Sequence, residues 1–186
     1  WIYPQEERGP ARVLGKFKTS GMNREYSAFI GGDARLWTFV SDDGSADYGH
    51  FILKATQDRV IEKKQWEHIA VTWDASQGAA GVSVYVNGKK TRLWDALSSD
   101  IDSLHSGTAD FTLGTYDVRT VKRGKKEKEV VDNPFKGSVA QLLLCKDALS
   151  LLEINELYEL GRNGNLVAYL NMDFDQDGLP DWWERK

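Results

Sequence analysis

The chain has 186 residues, of which 41% are hydrophobic and 28% are charged, and its formal net charge is −4. This length and composition fit one domain with a substantial core and exclude a disordered chain. The mild acidity gives no support for a nucleic-acid-binding surface. No apolar run is long enough to span a bilayer, and the single cysteine, Cys145, excludes a disulfide within the chain.

Short apolar runs separated by turn signals recur along the chain, which is typical of a sandwich or barrel. The predicted strands cover residues 13–18, 26–30, 36–41, 50–55, 66–73, 82–86, 89–93, 111–114, 135–145 and 167–172. Asn87-Gly88 predicts a tight hairpin turn. Apolar residues at helical spacing predict one helix from Ser150 to Gly161, with a capping box formed by Ser150 and Glu153 and with Gly161 as its C-cap.

The segment 117–133 departs from this pattern of recurring apolar runs, because it is basic and has few apolar residues. Its cations are Arg119, Lys122, Arg123, Lys125, Lys126 and Lys128. The pattern favours a mobile, solvated hairpin loop that is dispensable for folding. The alternative is a contact site for an acidic polymer such as a sulfated glycan.

Four segments resemble motifs of laminin-G-like domains, in the same order and spacing. Residues 65–74 resemble the family's Trp-x-His-Val-Ala-x-Thr-Tyr-Asp strand, and residues 84–89 resemble its Leu-Tyr-Val-Asn-Gly hairpin. Residues 135–139 and 148–158 resemble its Phe-x-Gly-x-Ile strand and its Ala-Leu-Ser-x-x-Glu-Ile-x-x-Leu-Tyr helix. The resemblance implies an all-β fold of the concanavalin A-like lectin/glucanase kind, a two-sheet antiparallel jelly-roll sandwich with one short helix, over residues 1–172.

Two departures from the family pattern carry expectations of their own. One or two strands precede the position of Trp1-Ile2-Tyr3-Pro4 in the family, and this chain lacks them. We therefore interpret the chain as beginning inside a longer polypeptide. The family's Asp-Glu pair is replaced by Ala140-Gln141, which puts any role of those acids in doubt.

The wider fold includes glycoside hydrolases, which need two carboxylates facing one cleft. Their usual Glu-x-Asp-x-x-Glu strand motif is absent from the sequence. The three histidines are scattered without metal or triad spacing, and Cys145 is interpreted as a buried thiol. We therefore expect no catalytic activity.

Strand alternation places aromatic residues on faces turned away from the predicted core. The candidate ligand-binding residues are Trp37, Trp66, Tyr85 and Trp94. Aromatic rings beside polar groups favour a glycan- or protein-binding module, because sugars stack on such rings. Two alternatives remain open, a covering loop or neighbouring domain over these rings, and a purely structural spacer or assembly subunit.

The C-terminal segment 173–186 predicts a calcium loop followed by a joint to a neighbouring domain. Its spacing fits a twelve-residue calcium loop, with a glycine, Gly178, at the sixth position where the chain must turn sharply. The candidate oxygen ligands are Asp173, Asp175, Asp177, the Leu179 carbonyl, Asp181 and Glu184. The segment resembles thrombospondin type 3-like linkers of large bacterial surface proteins, which implies calcium as cofactor and a secreted or cell-surface setting.

Overall fold

The computed structural model describes residues 1–6, 10–115, 118–123, 126–131 and 133–165. The predicted closing strand 167–172 and the predicted calcium loop lie outside the described residues. Residues 118–123 and 126–130 are described by their backbone pairing. Within these ranges, no helix has the length and the apolar character that crossing a membrane requires.

The described part of the chain is built mainly from antiparallel strands, with one α-helix. In chain order the strands are β1 (Ile2–Pro4), β2 (Ala11–Lys18), β3 (Asn23–Ile30), β4 (Leu36–Ser41), β5 (Phe51–Thr56), β6 (Ile69–Trp73), β7 (Val82–Val86), β8 (Lys89–Lys90), β9 (Leu93–Ser98), β10 (Phe111–Leu113), β11 (Val118–Arg123), β12 (Lys126–Val131) and β13 (Gly137–Val139). Short 3₁₀ turns over Ala75–Gly81 join β6 to β7, and α1 (Leu151–Arg162) follows β13.

One layer is a six-stranded antiparallel sheet in the order β10-β2-β3-β4-β5-β9. Strands β2 to β5 form a meander, since each pairs with the next along the chain. The two outer strands come from distant parts of the sequence, with β9 on β5 and β10 on β2. This sheet carries the residues of the candidate site.

The second layer combines the three-stranded sheet β6-β7-β8 with the pair β1-β13. Two backbone hydrogen bonds join them, because Ile2 N–H donates to the Glu67 carbonyl at 2.9 Å and Glu67 N–H donates to the Ile2 carbonyl at 2.8 Å. Strand β1 therefore lies between β13 and the start of β6. The hairpin β11-β12 pairs only within itself among the described strands.

The core lies between the two layers. One apolar cluster joins Val13, Ile30 and Leu36 of the first sheet to Ile2 and Val84 of the second. Another cluster joins Val40 and Ile52 to Val82 in the same way. Alternating residues of β4 and β7 thus meet across the sandwich, as a sheet with one face on the core requires. The all-β sandwich with one short helix, consistent with a jelly roll, is confirmed.

Helix α1 covers the outer side of the second layer near the N-terminus. The Ser150 hydroxyl accepts the Glu153 backbone N–H at 3.3 Å, and the Glu153 carboxylate accepts the Ser150 N–H at 2.7 Å, so the predicted capping box is confirmed. The predicted C-cap is wrong, because Gly161 lies inside the helix and Asn163 caps it. A Cβ at Gly161 would collide with the Trp1 ring, so this glycine permits close packing rather than a turn.

Several other predictions need correction. The predicted strand 89–93 is two short strands, β8 and β9, which belong to different sheets. The predicted strand 135–145 is reduced to Gly137–Val139, and Cys145 beyond it is exposed rather than buried. The basic segment predicted as a hairpin loop is a hairpin, but residues 118–123 and 126–131 form its paired strands β11 and β12 rather than a loop.

Candidate ligand-binding surface

The face of the six-stranded sheet that turns away from the second layer is rich in aromatic side chains. Leu36 and Val40 of β4 point into the core, so the alternating residues Trp37 and Phe39 point outwards. We call this side the aromatic face. It carries Phe17, Phe29, Trp37, Phe39, Phe51 and Trp94.

The register of the sheet brings Trp37 and Trp94 together although they lie on different strands. Trp37 is directly opposite Ala55, and Ala55 is directly opposite Trp94, so the three residues form one row across β4, β5 and β9. The small side chain of Ala55 leaves room for the two indoles to meet above it. Their ring centroids are 5.7 Å apart in a T-shaped arrangement, and Phe29 stacks on the other side of Trp37 at 5.8 Å.

The other half of the aromatic face is closed by its own side chains. Phe17, Phe39 and Phe51 are buried and pack against one another. The Arg12 guanidinium lies 4.7 Å above the rings of both Phe17 and Phe29, and it donates a hydrogen bond to the Ser27 hydroxyl. Arg12 could not be identified from the sequence, because only the register of β2 shows that it lies among these rings. The accessible part of the face is therefore the tryptophan end, where Trp94 is 46% exposed.

Polar groups adjoin the tryptophan end of the face. A Cβ at Gly31 would lie 2.6 Å from both the Asp33 carboxylate and the Trp37 indole nitrogen, so both groups border the space that the missing side chain leaves. Asp33 and Arg35 form an ion pair at 3.5 Å, and both are partly exposed. A partly exposed aromatic pair next to charged donors and acceptors has the composition expected of a small polar-ligand site.

The other two candidate residues lie elsewhere. Trp66 is on the second layer, where it is 46% exposed and contacts Tyr3 with ring centroids 5.5 Å apart. Tyr85 is only 5% exposed. The structure therefore brings Trp37 and Trp94 together, places Trp66 apart from them, and leaves Tyr85 outside any accessible surface.

A second cluster, which the sequence analysis missed, lies at the β4-β5 hairpin. Asp42 and His50 flank the ends of the two strands, and the His50 Nδ1 is 3.1 Å from the Asp42 carboxylate and 3.6 Å from that of Asp43. Burial raises the pKa of the Asp43 carboxyl, but hydrogen bonds from Ser45, the nearby His50 and the Ser41 hydroxyl outweigh burial, and the net pKa is lowered.

This cluster is the one group within the described ranges whose side chains could hold a metal ion together. It offers three ligand atoms, whereas calcium takes six to eight oxygens. A signal was present in the sequence, since Ser41 ends one strand and Phe51 begins the next, so that residues 42 and 50 face each other across the hairpin.

The two acids that are most deeply buried in the described ranges are both held by structural partners. Glu25 pairs with Lys16 at 2.7 Å and accepts the Gly107 N–H at 2.8 Å. Glu67 accepts hydrogen bonds from the side-chain amides of Gln65 and Asn87. They lie on different sheets, so this pair does not form the two-carboxylate cleft that glycoside hydrolysis requires.

His68 lies beneath helix α1. It contacts the rings of Trp1 at 5.4 Å and Tyr158 at 5.8 Å. Burial, and next the positive charge of the N-terminus, lower the pKa of His68 to about 4. The imidazole is therefore neutral at neutral pH, which suits a packing residue.

The comparisons with known proteins agree with this architecture. A family profile described as the concanavalin A-like lectin/glucanases superfamily matches residues 1–155. The chain is similar in fold to a solved structure of the native heptameric SAP-like pentraxin from Limulus polyphemus, with a TM-score of 0.53 and 17% sequence identity. That alignment covers 84% of this chain and 66% of the pentraxin chain. A search of curated proteins gives no match.

Proposed function

We propose that this chain, which belongs to the concanavalin A-like lectin/glucanase superfamily, is a non-catalytic recognition or adhesion module of a larger secreted or cell-surface protein of a bacterium. Domains of this superfamily are typically binding modules, although some members are hydrolases. The proposed ligand is a glycan, with a protein surface as the second candidate. The proposed binding site is the Trp37–Trp94 pair on the aromatic face.

The observation that carries this proposal is the partly exposed, preorganised indole pair. Rings that are already packed against Phe29 and over Ala55 lose little conformational entropy when a ligand binds. Sugar rings present apolar C–H faces that stack on an indole, while their hydroxyls require donors and acceptors of the kind that Asp33 and Arg35 provide.

The test compares two tryptophans of equal exposure. After a glycan array has identified a bound sugar, Trp94→Ala is expected to weaken its binding by about tenfold or more in calorimetry, because an anchoring indole contributes much of the affinity of a small site. Trp66→Ala is the matched control, since Trp66 is also 46% exposed but lies on the other layer. Equal losses in both variants, or no loss in Trp94→Ala, would contradict the assignment.

Two other functions, a structural spacer and a glycoside hydrolase, would differ from recognition in observable ways. A spacer or assembly subunit would bind no glycan on the array and would still fold normally. A glycoside hydrolase relative would need a pair of carboxylates about 5–9 Å apart across a cleft, and the two most buried described acids, Glu25 and Glu67, are occupied by structural partners instead.

We also propose that the C-terminal segment 173–186 binds calcium and stiffens the joint to a following domain. The proposal is supported by the spacing of its oxygen ligands, Asp173, Asp175, Asp177, the Leu179 carbonyl, Asp181 and Glu184. Five carboxylates this close would repel one another without a cation.

Calorimetric titration of the full chain with calcium is expected to show at least one site, and Asp177→Ala is expected to abolish or greatly weaken it. Asp102→Ala is the control, because it removes one carboxylate from an exposed loop of the sandwich. If millimolar calcium gave neither heat nor a change in thermal stability, the segment would be an acidic tail without a metal site.

A further inference from the structure

The strand register of the hairpin β11-β12 separates its charged residues by face. Residues directly opposite each other in an antiparallel pair share a face, and successive residues of a strand alternate between faces. Arg123 is opposite Lys126, Val121 is opposite Lys128, and Arg119 is opposite Val130. One face of the hairpin, which we call the basic face, therefore carries four cations and no acid: Arg119, Arg123, Lys126 and Lys128.

The opposite face carries one cation and two acids. Lys122 is directly opposite Glu127, and Thr120 is directly opposite Glu129. Opposite charges in such positions stabilise a strand pair, whereas like charges directly opposite destabilise it. The Arg123–Lys126 position on the basic face is of the unfavourable kind. Solubility alone would not require the two acids and four of the five described cations of this hairpin to lie on separate faces.

We infer that the basic face of the β11-β12 hairpin is a binding surface for an anionic polysaccharide, carrying sulfate or carboxylate groups. The cations lie in three successive rows of the basic face, and each row is formed by two residues directly opposite each other. Neighbouring rows are about 7 Å apart, and the three rows extend over about 13 Å. A linear polyanion lying along the hairpin would meet a positive charge at each level and would offset the repulsion between Arg123 and Lys126. This surface is separate from the Trp37–Trp94 pair and does not depend on it.

A polysaccharide fits this surface better than a nucleic acid does. Duplex DNA carries one charge per about 1.7 Å, far denser than the spacing of these cations. Single strands are bound through aromatic stacking as well as charge, and residues 118–131 include no aromatic residue. The rest of the chain is acidic, since the net charge is −4 with these cations included, so a long, densely charged nucleic acid would be repelled beyond the hairpin.

The test exchanges residues between the two faces without changing composition or net charge. The exchange variant carries Arg119→Thr, Thr120→Arg, Glu127→Lys and Lys128→Glu in the full chain. It leaves two cations and one acid on the basic face and gives the opposite face three cations and one acid, so neither face keeps four cations without an acid, while the number of cations in the hairpin stays the same. The probe is heparin, and binding is measured at low salt by calorimetry, with thermal unfolding as the check that the sandwich is intact.

Wild-type chain is expected to bind heparin with an affinity that falls as salt rises, because dissolved ions screen the attraction between opposite charges. The exchange variant is expected to bind at least about tenfold more weakly, in line with the loss of several ionic contacts. If the exchange variant did not fold, two single variants carry the same test. Lys128→Ser removes a lysine from the basic face and should weaken binding, and Lys122→Ser removes one from the opposite face and should not.

Three results would overturn the inference. The first is a wild-type chain that does not bind heparin at low salt. The second is an exchange variant, or a Lys128→Ser variant, that binds as tightly as wild type, since binding would then follow overall charge rather than the face. The third is single-stranded DNA bound as tightly as heparin, which would make the surface one for polyanions in general.

Discussion

Small residues determine where the large aromatic rings of this protein can pack closely. Ala55 is fully buried in the row between Trp37 and Trp94, and its short side chain lets the two indoles contact each other. Gly161 has the same role in α1, where its missing Cβ admits the Trp1 ring. Both positions depend on tertiary contacts, so local sequence rules assign them other roles, as the wrongly predicted C-cap at Gly161 shows.

Comparing Gly44 with Gly49 tests how much stability depends on the absence of a Cβ at a close contact. Gly44 has a φ of +82° and a Cβ there would collide with the Met22 carbonyl, whereas Gly49 has a φ of +106° and open space around it. Both alanine variants carry the strain of a positive φ, about 1 kcal/mol. Gly44→Ala should lower the free energy of unfolding by about 2 kcal/mol more, the cost of overpacking against backbone.

Urea unfolding of the two alanine variants measures this difference. Equal losses at the two positions would show that the β2-β3 turn moves away from residue 44 at little cost.

His68 makes stability depend on pH in a defined direction. Its pKa is about 4 in the folded chain and about 6.5 when exposed. Between these values the unfolded chain binds a proton that the folded chain does not, so stability falls as the pH drops from about 6.5 to about 4. The loss amounts to about 3 kcal/mol when the shift is fully expressed, and it does not grow further below pH 4.

Urea unfolding across this pH range should separate wild type from His68→Phe, which retains a ring between Trp1 and Tyr158 but cannot titrate. The free energy of unfolding of the variant should lack this part of the pH dependence. Parallel curves for the two proteins would mean that His68 accepts a proton in the folded state without penalty.

At the scale of elements, the sequence predicts what is locally encoded. Strands 36–41 and 82–86 are confirmed at their predicted bounds, because apolar patterns and adjacent turn signals such as Asn87-Gly88 define them. The predicted helix is confirmed, and so is the capping box at its N-terminus. The division of 89–93 into β8 and β9 could not be predicted, since no local pattern tells a chain to leave one sheet and enter another.

The sequence predicts only the part of the candidate site that depends on local alternation within a strand. Alternation along β4 correctly indicates that Trp37 points away from the core, but it does not show that β9 brings Trp94 beside it across Ala55. The cluster of Asp42, Asp43 and His50 likewise depends on the β4-β5 register. The predicted calcium ligands lie outside the described residues and stay a prediction.

The hairpin β11-β12 should be removable without unfolding the sandwich, because these strands pair only with each other among the described strands. Replacing residues 118–131 by two glycines is expected to change the melting temperature by no more than about 3 °C, since loop-closure free energy depends weakly on length.

Extending the deletion through Asn133 is the matched comparison. The Asn133 carbonyl accepts the Arg12 N–H at 3.0 Å, and loss of this bond should lower the free energy of unfolding by about 1 kcal/mol, or the melting temperature by a further 2–4 °C or so. A large drop already in the shorter deletion would show that the hairpin supports the fold.

At the scale of the whole molecule, the two layers differ in how their outer sides are covered. The inner faces supply the core, and the outer side of the second layer is partly covered by α1, which packs on Trp1 and His68. The outer side of the six-stranded sheet is left with the accessible tryptophan end. The proposed glycan site, the basic face and the proposed calcium segment use different parts of the chain, so each can be tested without disabling the others.

The pairing of β1 with β13, and of β2 with β10, also determines when the molecule can fold. The meander β2 to β5 consists of neighbouring hairpins and can assemble as soon as these residues leave the ribosome. Strand β2, however, gains its second partner only when residues 111–113 have been made, and β1 waits for residues 137–139. Contacts so distant in sequence close slowly, so the nascent chain holds a sheet with unpaired edges until β9 and β10 have been made, a period in which a chaperone would have the most to protect.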